Sequence, residues 1–430
     1  MQVGSIKNTP FKGFYNVSAE LEKNIPLSRG IIDIFGSDIP WLVMANNNSE
    51  RKEKARRMIS VFLLIFISPI VMLPLFNRAG MKWGSKLAKS FWSNNHKAIH
   101  ISNKDLVNTE KMEAALKKLS EKYEYSPLET AWAWLTRKKL DHKPLDFSKM
   151  LEGDKEKLRR KLVNTKNGVM SADYLFCSLS LGSIPFINNG ITKKQTGQSG
   201  FSAEFSMADK EIVEKRAQQY EKSWKYRYGA MLSAALALGA GIPLAVRHGL
   251  LAKDGGKFAK FMNKQASKFD YEKGIYMSRW SLLLGNVICC HGGALLANRN
   301  STERKDNALR FGMADALFFG GDVVVGSVFG HLSDRFLKTD LIDKSAENLK
   351  RAMPRLRHMS DLVKPYDRKI ACGLYWLNLA TISAAMGFVV PAIANAITRK
   401  DVRKDVEKYG QFNNDFLWQA FRQEQRISLK

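Results

Sequence analysis

The chain has 430 residues, 45% of them apolar, and a net charge of +27 from 68 Lys and Arg against 41 Asp and Glu. That length admits two or three soluble domains, or a membrane bundle with extramembrane additions. The basic excess is spread over every connecting segment instead of forming one aromatic and basic face, which argues against a nucleic-acid partner. Charge-free blocks alternate with stretches dense in Lys and Arg, whereas a soluble core would show charges recurring inside each element. The sequence therefore predicts an all-α, multi-pass helical membrane protein. It would have about six transmembrane or membrane-embedded helices and a small helical extramembrane domain.

Residues 1–57 form a polar N-terminal segment whose opening stretch, Met1 to Gly30, has no apolar core suited to a cleaved signal peptide. Its one apolar patch, Ile31 to Met44, reads as too short and interrupted to span, with Trp41 suited to an interfacial position. The run Arg51 to Arg57 abuts the first block and suits anionic headgroups, worth roughly 1 kcal/mol per basic side chain near the surface. Block one, Met58 to Asn77, is twenty residues without a charge and can cross a hydrocarbon core of about 30 Å.

Residues 78–169 read as the helical extramembrane domain. Met81 to Trp92 mixes apolar residues and lysines as a surface helix does. Met112, Leu116, Leu119 and Tyr123 form an apolar stripe. Ser126-Pro127-Leu128-Glu129 starts a helix that carries Leu128, Trp132 and Leu135 on one face. The membrane bundle, 170–398, holds blocks 174–192, 228–246, 280–298, 311–333 and 370–398 between basic loops. The basic tail, 399–430, ends in an amphipathic stretch with Phe416, Leu417, Ala420 and Phe421.

Several blocks end alike: PLFN at Pro74 to Asn77, PFIN at Pro185 to Asn188, PAIAN at Pro391 to Asn395, and GIPLAV at Gly241 to Val246. A shared proline suggests a duplicated kinked-helix unit, set against the fact that Pro and Gly are common in membrane helices.

Cys177, Cys289, Cys290 and Cys372 all lie in apolar blocks, away from disulfide-framework or zinc spacing, and read as buried thiols. No phosphate loop, H-E-x-x-H, G-x-S-x-G or dinucleotide fingerprint occurs, so the reading leans away from an enzyme and expects no cofactor or metal. His331 and Asp334 read as a cap or surface link.

Block five carries the sharpest polar signal. At 100° per residue, Asp315, Asp322, Gly326 and Ser333 share a stripe, with Gly326 and Gly330 at the spacing that lets helices approach closely. An Asp at membrane depth costs roughly 2.5–3.5 kcal/mol, so Asp322 is expected to face protein or water. Two functions are expected on these grounds: a structural or interaction protein with basic lipid-facing loops, or an ion or solute transporter or channel using Asp315 and Asp322. The expected partner is the lipid bilayer with its anionic headgroups, and not nucleic acid. Protein partners stay unidentified, with a homo-oligomer among the expectations, and a bacterial inner membrane is the expected location.

Overall fold

A computed structural model describes residues 10–23, 25–69, 72, 75–76, 101–121, 151–252, 256–272 and 276–409. The end of block one, the surface helix at 81–92, the helix start at 126–129 and residues 410–430 of the C-terminal tail lie outside them.

The described chain is mainly helical, with two two-residue strands, β1 (Tyr271–Glu272) and β2 (Tyr276–Met277), paired antiparallel. The helices in order are α1 (Pro10–Lys23), α2 (25–43), α3 (48–67), α4 (Thr109–Glu121), α5 (Glu152–Thr196), α6 (Lys210–Leu251), α7 (Lys257–Gln265), α8 (Arg279–Ala297), α9 (Ser301–Phe336) and α10 (Pro365–Lys404). Five of them, α5, α6, α8, α9 and α10, are long and apolar enough to cross a membrane. Prolines 185 and 243 sit inside α5 and α6.

Wide π-helical turns interrupt α2 at Ile34–Asp38, α3 at Leu63–Ile67, α8 at Gly285–His291, α9 at Leu317–Gly321 and α10 at Ala385–Val389. A π turn adds a residue to the helical repeat and rotates the remainder of the helix by roughly 100°.

The contacts divide the chain into two units. The first comprises residues 1–58, 189–222 and 298–430. In it α2 lies beside α10 and runs in the same direction. Ser28 Oγ is 2.7 Å from the Tyr375 hydroxyl, Trp41 Nε1 donates to Met386 O at 3.0 Å, and Asn395 Nδ2 donates to Met44 O at 2.9 Å. The helices touch closely: a Cβ on Gly36 would sit 3.0 Å from Ser383 Cα, and one on Gly387 would sit 2.7 Å from Pro40 Cγ. The Ile31–Met44 patch is thus the second half of a nineteen-residue helical run, about 28 Å long at 1.5 Å per residue. Its charges do not break it. Arg29 is buried over the Phe319 ring at 5.5 Å, and Asp33 accepts from Ser37 Oγ at 3.1 Å.

Helix α9 packs antiparallel on α10, and α1 covers its start, with the Tyr15 hydroxyl donating to Met359 O at 2.5 Å. The segment after α9 is pinned by Asp334, whose carboxylate accepts from Thr339 Oγ1, Leu341 N and Ile342 N at 2.7, 2.8 and 3.1 Å.

The second unit comprises residues 59–188 and 223–297. Here α5 meets α6 and α8 through glycines. A Cβ on Gly239 would lie 2.7 Å from Leu175 Cα, and one on Gly293 would lie 2.7 Å from Gly182 O and 2.9 Å from Gly182 Cα. Because those atoms are backbone, they cannot rotate away. Gly293→Ala is expected to cost about 1–3 kcal/mol through forced separation of α8 from α5. Gly285→Ala, whose added Cβ meets nothing within 4 Å, is the matched control. Thermal unfolding in detergent distinguishes them.

One core of this unit joins Met112 and Leu116 of α4 to Leu158, Leu162, Val246, Leu250, Met262 and Ala266. Met112 and Leu116 of the predicted stripe therefore pack onto the ends of α5 and α6 and onto α7, so this core draws on residues well beyond 78–169.

Candidate functional site

The first unit holds an ionic network among otherwise helical, apolar surroundings. Glu50, Glu204, Arg299, Glu303, Asp306 and Arg310 are all buried. Arg299 is its centre. Its guanidinium reaches Glu53 Oε1 and Glu303 Oε1, both at 2.7 Å, while its own N–H donates to Glu303 Oε2 at 2.6 Å. Glu204 pairs with Arg216 at 3.0 Å and accepts from Asn300 Nδ2 at 3.1 Å. Asp306 pairs with Arg310 at 2.8 Å, and Lys54 with Glu50 at 2.5 Å. Arg310 also donates to Asn395 Oδ1 at 2.5 Å. A stack continues outward from it: Arg310 over Trp41 at 5.6 Å, Trp41 against Phe311 at 6.4 Å, and Arg57 over Phe311 at 4.2 Å.

Glu50 lies against Lys54, Glu204 against Arg216, Glu53 and Glu303 against Arg299, and Asp306 against Arg310, so every carboxyl of the cluster is balanced by a cation beside it. That balance is what lets ionised groups stay buried, because an unpaired one would carry a desolvation cost of several kcal/mol.

Two halves of this network repeat each other. Asn47 Oδ1 caps the helix start by accepting from Glu50 N at 2.9 Å, and Asn300 Oδ1 accepts from Glu303 N at 2.9 Å. Glu50 in turn accepts from Asn46 N at 2.5 Å, as Glu303 does from Arg299 N at 2.6 Å. Each pair is a capping box displaced by one residue, since the glutamate reaches the N–H just before the N-cap asparagine. One turn on, Glu53 accepts from Thr192 Oγ1 at 2.9 Å and Asp306 accepts from Thr398 Oγ1 at 3.1 Å.

The sequence carries the same correspondence twice. Asn47, Glu50, Arg51, Lys52, Ala55 and Arg57 match Asn300, Glu303, Arg304, Lys305, Ala308 and Arg310 at equal spacing. Pro185, Ile187, Asn189, Ile191, Thr192 and Lys194 match Pro391, Ile393, Asn395, Ile397, Thr398 and Lys400. The element order agrees: α2 and α8 each span nineteen residues around a π turn. In α3 and α9 the π turn begins fifteen or sixteen residues after the helix start.

Burial drives the Glu204 carboxyl up to about 7, and the nearby Arg216 charge offsets that only in part. Glu53 is the opposite case: burial raises it, but the Arg299 charge and hydrogen bonds outweigh burial and hold it below the usual carboxylate range.

Glu204 in the folded protein thus keeps a proton that the unfolded chain gives up near its ordinary pKa of 4.5. Between those values the folded state binds more protons, so this group's contribution to stability falls as pH rises from about 4.5 to about 7. Glu204→Gln is expected to flatten that part of a stability-against-pH profile measured by thermal unfolding, and an unchanged slope would contradict this assignment.

The residues singled out from block five lie elsewhere. The π turn at Leu317–Gly321 separates Asp315 from Asp322 and turns the second half of the helix. Asp315 is half-buried and Asp322 exposed, with Asn378 Nδ2 donating to Asp322 O at 3.2 Å. Gly326, Gly330 and Ser333 are buried. A Cβ on Gly326 would sit 3.6 Å from Asn378 Nδ2, whereas one on Gly330 would strike Leu356 Cδ2 at 2.4 Å and Ile342 Cδ1 at 2.9 Å. Gly330 therefore makes room for the segment after α9. The single acidic and small stripe of an ideal helix is split into two faces.

The second unit has its own buried pair. Lys166 Nζ bonds Asp270 Oδ1 and Ile101 O, both at 2.5 Å, and Asp270 also accepts from Asn103 N at 2.7 Å. The four cysteines are free, three of them buried and Cys177 half-buried. Among the described residues no group of three His, Cys, Asp or Glu is placed to hold a metal ion. Comparison with known proteins returns no matching family model, no matching curated protein and no matching solved structure.

Proposed function

We propose that the chain is an ion or solute carrier built from two copies of a three-helix unit, α2–α3–α5 and α8–α9–α10, joined by α6. Seven crossings result from this reading, because α2 corresponds to α8 and runs alongside α10 for the height of the bundle. The observation that carries it is the repeated capping box and acid–threonine pair, in which Glu50, Glu53 and Thr192 correspond to Glu303, Asp306 and Thr398.

Alternating crossings give the network a location. Glu50 and Glu53 precede the second crossing, Glu204 and Arg216 lie between the third and fourth, and Arg299 to Arg310 lie between the fifth and sixth. Thr398 closes the seventh. All these ends fall on one face of the membrane, where the charges tie the helix ends together. Internal repeats whose corresponding helices carry Pro and non-standard turns are a recurrent construction of transporters, with substrate sites near the repeat interface. π turns concentrate at functional positions for the same reason, since they free backbone groups and re-aim side chains.

The competing function, a structural or interaction protein of the membrane, draws support from the basic connecting segments and the lack of a catalytic motif. Proteoliposomes separate the two. Imposed gradients of protons, Na⁺, K⁺ and small organic anions are expected to dissipate faster with the protein than without it, and Asp322→Asn or Asp315→Asn is expected to alter that flux. Absence of flux for every species would leave the structural role.

A further inference from the structure

Helix α7 presents three distinct faces. Ala259 and Met262 are buried, and Met262 joins the core formed with Val246, Leu250 and Ala266. Phe258 and Phe261 are 58% and 57% exposed. Lys257, Lys260 and Lys264 are exposed as well. At 100° per residue the phenylalanines occupy the sector between the buried face and the lysines.

The aromatic sector continues an exposed apolar strip of α6. Leu236 and Leu244 there are 52% and 56% exposed, and the His248 ring at the end of α6 stacks on Phe258 at 6.3 Å. Nearby, Lys268 Nζ lies 5.5 Å from the ring of Trp280, itself 51% exposed at the start of α8. An apolar strip that passes from a crossing helix onto a short lateral helix, and there meets a row of ammonium groups, matches the order of acyl chain, glycerol and phosphate in a lipid leaflet. Helix α7 carries no acid of its own, and the next described acid along the chain, Asp270, is buried and paired with Lys166.

We propose that α7 lies in the bilayer interface and binds anionic phospholipid, with Phe258 and Phe261 among the acyl chains and Lys257, Lys260 and Lys264 at the phosphates. The proposal rests on the membrane reading given above, but not on transport.

The test uses the full chain in nanodiscs of phosphatidylcholine, with or without phosphatidylglycerol. The four cysteines are replaced, and a polarity-sensitive fluorophore is placed on a single cysteine at position 261 or 236. Both probes are expected to emit as in an apolar medium, with 261 quenched by shallow spin-labelled lipid and 236 by deep spin-labelled lipid. In a separate variant that keeps both phenylalanines, Lys257→Gln, Lys260→Gln and Lys264→Gln together are expected to lower phosphatidylglycerol retained in native mass spectrometry by roughly twofold or more. A water-like signal at 261 with a lipid-like signal at 236 overturns the proposal alone, while water-like signals at both overturn the membrane reading. A probe at 261 shielded from both water and lipid quenchers means that protein covers α7, which also overturns it. Unchanged phosphatidylglycerol retention in the lysine variant overturns the choice of anionic lipid.

Discussion

Arg299→Ala is expected to cost about 3–5 kcal/mol of stability, because it leaves Glu53 and Glu303 buried without their shared cation. Arg299 is 2% exposed and bonds both carboxylates at 2.7 Å. Deleting it removes the cation that the two carboxylates share. The loss should shrink as the pH is lowered, since protonating Glu53 and Glu303 removes the uncompensated charge. Adding Glu53→Gln and Glu303→Gln should recover part of the stability at neutral pH for the same reason. Thermal unfolding of the purified protein in detergent checks all three statements. A loss below about 1 kcal/mol, the range of an exposed pair, would mean that water reaches the cluster.

Asp270→Ala is the second large effect, again about 3–5 kcal/mol, but confined to the second unit. It strands the Lys166 ammonium, which has no solvent exposure and keeps its hydrogen bond to Ile101 O. It also removes the acceptor for Asn103 N. The segment 101–121 is held to α5 partly through these bonds, so it should become the first site of proteolytic cleavage. Replacing both members with apolar residues, Lys166→Met with Asp270→Leu, should be milder than Asp270→Ala, because no charge is then left buried. If the double variant were the less stable one, the pair would be contributing net stability instead of merely satisfying itself.

The helical class and the positions of the apolar blocks are legible in the sequence because hydrocarbon-facing helices need long runs without charge. Helix α2 is not legible that way. Its Arg29, Asp33 and Asp38 interrupt the run, and contacts such as the Phe319 ring over Arg29 and the i, i+4 bond from Ser37 to Asp33 make those charges compatible with a packed helix. The proline pattern is visible as PFIN and PAIAN, yet aligning the two prolines extends the match through Asn189, Ile191 and Thr192 onto Asn395, Ile397 and Thr398. That extension points directly at the acid–threonine pairs. The second match, Asn47 to Arg57 against Asn300 to Arg310, hides in segments that a search for apolar blocks treats as loops. Asp315, Asp322, Gly326 and Ser333 do not form one continuous face for a local reason: 100° per residue holds only in a regular helix, and the π turn at Leu317–Gly321 lies between the two acids.

If the two copies share one construction, α2 must cross the bilayer as α8 does. Cysteines introduced singly at Gly13, Gly197, Lys350 and Arg403 in a cysteine-free background can be labelled in intact cells by an impermeant maleimide. Positions 13 and 350 are expected to label from one side, and 197 and 403 from the other. Labelling of 13 and 197 from the same side would show that the run 25–43 does not cross, and the two-copy account would be wrong.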